Sequence, residues 1–267
     1  MRRRLKGSRW LVTGASSGIG RALALQLARA GARLLLTARR ESRLAELAES
    51  IRRDGGEADL VAGDLTQVTT RQQLVDWVSE RWGACDGLIN NAGLGAVGPF
   101  MDASPQRLRE LMEVNFFAPV ELTRACLPWL GRGDRPMVVN IGSVLGYVSV
   151  PDKSEYCATK FALRAWSESL AFELQGQIDV LLVSPSSTKS EFFDRVIDSP
   201  PEFRVNRRQM SADAVARQTI SAMTRGRREL ILSVGGRSLV RASRWFPLLV
   251  RPWVARARLV APRHPSQ

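Results

Sequence analysis

Trp10-Leu11-Val12-Thr13-Gly14-Ala15-Ser16-Ser17-Gly18-Ile19-Gly20 is a short apolar run that gives way to glycine and then resumes as a helical pattern. The run near Trp10–Thr13 reads as a buried strand, and the apolar positions of Ile19–Ala30 recur at helical spacing. Glycine between the two permits a tight turn and a close backbone approach to a pyrophosphate. The helix after it offers free N–H groups and the positive end of its dipole. The same turn taken alone is a plain strand-to-helix connection, so its weight comes from the alternating segments downstream.

Outward from this turn, strands and helices alternate. Strands are predicted at Arg33–Thr37, Ala58–Ala62, Gly87–Ile89, Met137–Ile141, Val180–Val183 and Glu229–Leu232. Helices are predicted at Ser42–Arg53, Gln72–Arg81, Pro105–Leu130, Glu155–Gln175 and Ala212–Thr224. Such alternation gives a parallel sheet covered by helices on both faces, with ligands at the C-terminal strand ends.

The chain has 267 residues, 45% hydrophobic and 24% charged, enough for one sizeable core and short for two. Cys85, Cys126 and Cys157 are odd in number and far apart, which argues against a disulfide framework and for a reducing, cytoplasmic setting. His264 is the only histidine, so neither a histidine triad nor a histidine-bound metal is expected. The net charge of +13 sits at the two ends. Residues 1–10 contribute +5, and ten arginines against Glu229 contribute +9 from Arg225 onward, leaving the body close to neutral. No apolar stretch has the length of a secretory signal or of a spanning helix. The segmentation is a basic tail over 1–8, a catalytic and dinucleotide-binding domain over 9–236, and a basic amphipathic tail over 237–267.

Further marks lie along the chain in order. Asp64-Leu65 comes after the third strand, where an acid also serves as an ordinary helix cap, and Asn90-Asn91-Ala92-Gly93 comes after the fourth. Asn115 stands among Val114, Phe116 and Phe117 in a helix, where a buried amide satisfied by backbone is the bland reading. Ser143 ends the fifth strand. Tyr156 and Lys160 then lie four apart on the next helix and so share one face. A free tyrosine titrates near ~10, and a neighbouring ammonium is expected to lower that value.

From Thr13 to Lys160 this set resembles the short-chain dehydrogenase/reductase family, whose glycine turn has the wider spacing seen between Gly14 and Gly18. The resemblance implies a doubly wound Rossmann-type parallel sheet and hydride transfer between a nicotinamide cofactor and a small-molecule carbonyl or alcohol. It implies Tyr156 as acid/base, Lys160 as the residue that tunes it, Ser143 as donor to the substrate oxygen and Asn115 in proton relay. Gly14, Ser16, Ser17, Gly18, Ile19 and Gly20 would hold the pyrophosphate. Asp64 and Leu65 would lie at the adenine, and Asn91, Ala92 and Gly93 beside the nicotinamide ribose with Tyr156 and Lys160. Pro185, Thr188 and Ser190 would lie at the carboxamide. Ser186 departs from the family's usual glycine, and its side chain is expected to tune cofactor placement. A homodimer or homotetramer is also implied.

The second strand ends Thr37-Ala38-Arg39-Arg40 with no acid to grip a ribose 2′-hydroxyl, and Arg39 can present a planar fork to a 2′-phosphate, which favours NADP(H) over NAD. Solvated helix-entry charges are the simpler account of the same two residues. Residues Glu191–Asn206 carry Phe192, Phe193, Val196, Ile197 and Phe203 and read as an apolar wall for a lipophilic substrate, or equally as packing on the body of the domain. The alternatives are a 3-oxoacyl-acyl-carrier-protein reductase and a nonenzymatic dinucleotide-sensing regulator. In the tail, Arg237, Arg241, Arg244, Arg251 and Arg258 interleave with Leu239, Val240, Trp245, Phe246, Leu249, Val250, Trp253 and Val254. That pattern suits peripheral contact with an anionic membrane, and equally a helix packed on protein. No nucleic-acid recognition motif accompanies the charge.

Overall fold

The computed structural model of the chain describes residues 3–189, 197 and 209–256. Seven parallel strands form the central sheet. In chain order, β1 (Arg9–Thr13), β2 (Arg33–Ala38), β3 (Glu57–Ala62), β4 (Gly87–Asn90), β5 (Met137–Ile141) and β6 (Asp179–Ser184) are followed by two short strands, β7 (Thr188–Lys189) and β8 (Met210–Ser211), which pair only with each other. The last strand, β9 (Glu229–Ile231), returns to the sheet, whose order is β3-β2-β1-β4-β5-β6-β9. The predicted strands all form within a residue of their expected limits.

Burial on both faces explains why these segments are nearly continuous apolar runs. Val12, Leu36, Ile89 and Val139 point to one core, which contains Leu23 and Leu27 of α1 (Gly18–Arg29), Leu44 and Leu47 of α2 (Glu41–Arg53) and Val215 of α7 (Ala212–Thr224). Their neighbours Leu11, Leu35, Leu88 and Val138 point to the other, with Leu74 and Val78 of α3 (Val68–Arg81) and Leu122 and Cys126 of α5 (Ala118–Leu130). The helix α6 (Ser154–Glu173) packs on β6.

The single helix expected over Pro105–Leu130 is broken. It divides into α4 (Pro105–Met112), a π-helical turn at Glu113–Phe117, and α5. Pro119 has no N–H for the carbonyl of Asn115 four residues earlier, so the ordinary helical hydrogen bond cannot close there. The two ends also differ from simple tails. Arg3 is buried, its Nη2 donating to Asp179 Oδ2 at 2.7 Å, its Nη1 to the Met223 carbonyl at 2.9 Å and its Nε to the Arg135 carbonyl at 2.9 Å. The C-terminal segment forms α8 (Val234–Trp245) and α9 (Pro247–Arg256), so its helix starts three residues ahead of the expected boundary at 237.

The Arg3 contacts pin the basic N-terminus to the body. Arg3→Met should lower unfolding stability in urea by about 1.5–3 kcal/mol, the usual worth of hydrogen bonds to charged groups. An unchanged midpoint would show that these contacts contribute nothing.

Candidate active site

Because the strands are parallel, the loops after β1, β4, β5 and β6 emerge at one edge of the sheet. The glycine turn is built for close approach. Gly14 and Gly18 have φ of +63° and +55°, and a Cβ on Gly20 would lie 2.4 Å from the Gly14 carbonyl oxygen. Ser17 precedes α1 and makes no capping bond through its side chain, and no acid stands in the first turn. The positive end of the helix is therefore not neutralised by a carboxylate of its own.

Thr13 and Asn91 lock this turn to the loop after β4. Thr13 Oγ1 donates to the Ile89 carbonyl at 3.1 Å and accepts from the Asn91 and Ala92 N–H groups at 2.9 and 3.0 Å. Asn91 Nδ2 donates back to the Thr13 and Gly14 carbonyls at 3.0 and 3.2 Å. Asn91 thus braces the two loops against each other, and Gly93 lies close to both Asn115 and Lys160.

Arg40 crosses over the same turn, with Nη2 donating to Ser17 Oγ at 2.7 Å and Ser16 Oγ at 3.1 Å. The strand-end pattern favours Arg39 as the cationic fork, yet its neighbour is the one that reaches the turn. Arg39 is exposed, and its Nη1 lies 3.9 Å from Asp64 Oδ2. Asp64 itself forms a local turn, Oδ1 accepting from the Thr66 N–H at 3.0 Å and from Thr66 Oγ1 at 2.9 Å. The Leu65 carbonyl accepts from Arg71 Nη1.

Ser143 leaves β5 through Gly142 with extended backbone, and its Oγ accepts from the Leu145 N–H at 3.1 Å. The turn after it lies so close to α6 that a Cβ on Gly146 would meet the Lys160 carbonyl oxygen at 2.7 Å. That close approach brings Ser143 beside Tyr156, where its hydroxyl draws the phenol's pKa down. Lys160 Nζ sits 5.8 Å from the Tyr156 ring centroid and donates to the Ile141 carbonyl at 3.1 Å.

The electrostatics correct one expectation. Burial pushes the Tyr156 phenol above its ordinary range, outweighing the Ser143 hydrogen bond that pulls it down. The expected net lowering of the phenol is therefore not seen, and burial acts on the lysine as well, drawing it down from 10.5 to about 8. At neutral pH the tyrosine therefore holds its proton.

Asn115 is buried in the π turn. Its Oδ1 accepts from the Leu94 N–H at 2.8 Å, and its Nδ2 donates to the Leu94 carbonyl at 2.9 Å and to Thr159 Oγ1 at 3.1 Å. Thr159 Oγ1 donates in turn to the Tyr156 carbonyl at 2.9 Å. The side chain is thus committed to protein partners, and Pro119 leaves the Asn115 carbonyl without its helical donor.

Two buried polar sets supporting this site are not visible as motifs in the sequence. Asn90 Nδ2 donates to Thr123 Oγ1 at 3.0 Å and to Asn140 Oδ1 at 2.9 Å, and Asn140 Nδ2 donates to Ser167 Oγ at 2.8 Å. This ladder ties β4 and β5 to α5 and α6. Arg107 of α4 and Glu155, next to Tyr156, form an ion pair with both side chains under 10% exposed. The sequence signal for the first set is an asparagine inside each of two apolar strands, Asn90 in β4 and Asn140 in β5.

Pro185 and Thr188 come after β6 as expected. The Pro185 carbonyl accepts from the Val144 N–H at 3.0 Å, tying that loop to the one bearing Ser143. Thr188 is buried and donates to the Ser186 carbonyl at 3.1 Å. Ser186 is not in the left-handed region, so a side chain is accommodated there without backbone strain. Ser190 lies outside the described residues, as does the apolar stretch at 191–206 apart from Ile197. Ile197 pairs with Ala96, its N–H donating to the Gly95 carbonyl at 2.9 Å.

The family model for short chain dehydrogenase matches residues 9–200. The chain belongs to the short-chain dehydrogenase/reductase family. It is 33% identical to an 11-beta-hydroxysteroid dehydrogenase A of Sesamum indicum over 274 residues, covering 96% of this chain and 77% of that protein. A short chain dehydrogenase/reductase of Burkholderia phymatum in complex with NAD superposes with a TM-score of 0.84 at 26% identity, covering 98% of this chain and 99% of that one. An alcohol dehydrogenase of Thermococcus sibiricus complexed with 5-hydroxy-NADP gives 0.76 at 26% identity, covering 85% and 96%. Several curated relatives are longer than the stretch they share, the chain spanning 62% of one and 54% of another. The parallel, doubly wound sheet and membership of an oxidoreductase family that takes NAD(P)(H) are therefore established for this chain.

The buried lysine makes stability depend on pH in a definite direction. Its folded value of about 8 lies below the ordinary 10.5, so between those values the unfolded chain binds the extra proton. Stability from this group rises with pH through that window. Urea unfolding from pH 8 to 10.5 should show a steeper rise for the native chain than for Lys160→Met, and parallel curves would refute the buried-charge account.

Proposed function

We propose that the chain interconverts a carbonyl and an alcohol with NADP(H), on a lipophilic substrate. The observation that carries this reading is the meeting of the Ser143 loop with Tyr156 and Lys160 of α6 at the sheet edge, Lys160 Nζ lying 5.8 Å from the Tyr156 ring centroid. Bound NADPH would supply the hydride. Ser143 then donates to the substrate oxygen, and Tyr156 passes its phenolic proton to that oxygen as the carbonyl carbon is reduced. A phenol held protonated at neutral pH suits the acid role, which favours the reductive direction.

Among the described residues Lys160 has one acceptor, the Ile141 carbonyl, leaving its other N–H groups suited to a ribose diol. The turn at Gly14, Ser16, Ser17, Gly18, Ile19 and Gly20 fits a pyrophosphate, with Asn91, Ala92 and Gly93 bordering it. Support for a part of Asn115 in proton relay comes from its backbone carbonyl, since the side chain is engaged. Arg39 and Arg40 frame the end of β2, and the absence of an acid there supports a 2′-phosphate as the preferred ligand. The lipophilic substrate rests on the apolar stretch around Ile197 and on the similarity to a protein named for a hydroxysteroid.

NADPH consumption against a panel of steroidal, aliphatic and acyl-thioester ketones tests the reading. Tyr156→Phe should lower turnover about 10²- to 10⁴-fold while leaving NADPH binding intact. Turnover that survives this substitution overturns the mechanism. For the cofactor, Arg39→Ala/Arg40→Ala should weaken NADPH about 10- to 100-fold, as expected for lost charge-assisted bonds, and leave NADH unaffected. Equal losses for both cofactors would place the arginines in loop structure alone.

A further inference from the structure

The helices α8 and α9 form a hairpin with two unlike faces. The inner face is anchored: Val240 and Val254 are buried with Val144 and Val148, and Leu239 and Val250 pack against them. Among the described residues, nothing covers the outer corner. Arg244, Trp245, Phe246, Pro247, Leu248 and Leu249 are six consecutive exposed residues, with Trp245 74%, Leu248 79% and Leu249 75% exposed. Trp253 one turn further on is 63% exposed. Large apolar side chains exposed together, rather than singly, call for a partner.

The charge around this corner defines the partner's chemistry. Arg237, Arg241, Arg244, Arg251 and Arg256 are all exposed, and none takes part in an ion pair among the described residues. The first three recur at helical spacing along α8. No helix among the described residues is long and apolar enough to cross a membrane. At 12 and 10 residues, α8 and α9 suit an orientation in the plane of an interface. A two-fold contact with a second copy would set these unpaired arginines against each other. A soluble polyanion would satisfy the charge and leave the tryptophans, phenylalanine and leucines in water.

We propose that the α8–α9 corner is a membrane-docking wedge: Trp245, Phe246, Leu248, Leu249 and Trp253 enter the headgroup–acyl boundary of an anionic bilayer, and the flanking arginines engage lipid phosphates. A cavity of about 1300 Å³ is lined by α8, α9, β9, α6 and the Tyr147–Pro151 loop; it takes in Arg241, Arg244, Trp245 and Arg251 of this corner and none of Ser143, Tyr156 and Lys160.

The test is co-sedimentation of the full chain with vesicles of phosphatidylcholine alone or with phosphatidylglycerol. The expected result is strong binding only to the anionic vesicles. Arg241→Gln/Arg244→Gln/Arg251→Gln should reduce partitioning on the order of 100-fold, about fivefold per arginine. Phe246→Ser/Leu249→Ser/Trp253→Ser should reduce it at least about tenfold at unchanged charge. These side chains are exposed, so both variants should keep the native melting temperature. Failure to bind anionic vesicles overturns the proposal. Binding that survives the apolar substitutions reduces the contact to electrostatic adsorption and also overturns the wedge. Sedimentation velocity without lipid supplies the remaining outcome: a dimer abolished by the apolar substitutions would assign the corner to a second copy instead.

Discussion

Seven strands run parallel, so each must leave the sheet at the same edge and return through a crossover before the next can begin. The whole candidate site depends on that constraint. Strand order reverses on either side of β1, with β2 and β3 to one side and β4, β5 and β6 to the other. The loops after β1 and β4 consequently meet at the crevice between them, where Thr13 and Asn91 exchange hydrogen bonds. The loop after β5 carries Ser143 to the same edge, and the next helix brings back Tyr156 and Lys160.

Positioning at that edge depends on polar groups placed where burial makes them expensive. Asn90, Asn140, Thr123 and Ser167 are all 5% exposed or less, and each finds a partner within the ladder. A slip of one residue between β4 and β5 would separate Asn90 from Asn140 and strand both amides in the core, so the ladder fixes register as well as adding stability. The Arg107–Glu155 pair fixes the first turn of α6 in the same manner. The outcome is a tyrosine and a lysine each held in low-dielectric surroundings, which raises the phenol and lowers the amine.

The C-terminal hairpin obeys a different logic. Its inner valines complete a small third core over the Ser143 loop, so the hairpin is part of the fold. Its outer corner contributes nothing to that core. Of the two readings that the tail's sequence allows, the packed helix describes the inner side of this pair of helices, and the proposed membrane contact belongs to the outer side.

Alternation of apolar strands with amphipathic helices determined the layers of this protein, because burial on both faces writes itself into the sequence as continuous runs. Ser143, Tyr156, Lys160 and the glycine turn were legible for a related reason: their spacing on one strand, one turn and one helix is local. What the linear pattern did not contain was anything set by meetings between distant segments. The π turn at Asn115 depends on Leu94 as well as on Pro119, although the proline four residues on is a visible sign. Arg40 rather than Arg39 reaches Ser16 and Ser17, a meeting of segments 24 and 23 residues apart in the chain. The protonation of Tyr156 belongs to the tertiary structure alone: proximity to Lys160 is a sequence property, whereas desolvation is produced only when the whole domain closes around both side chains.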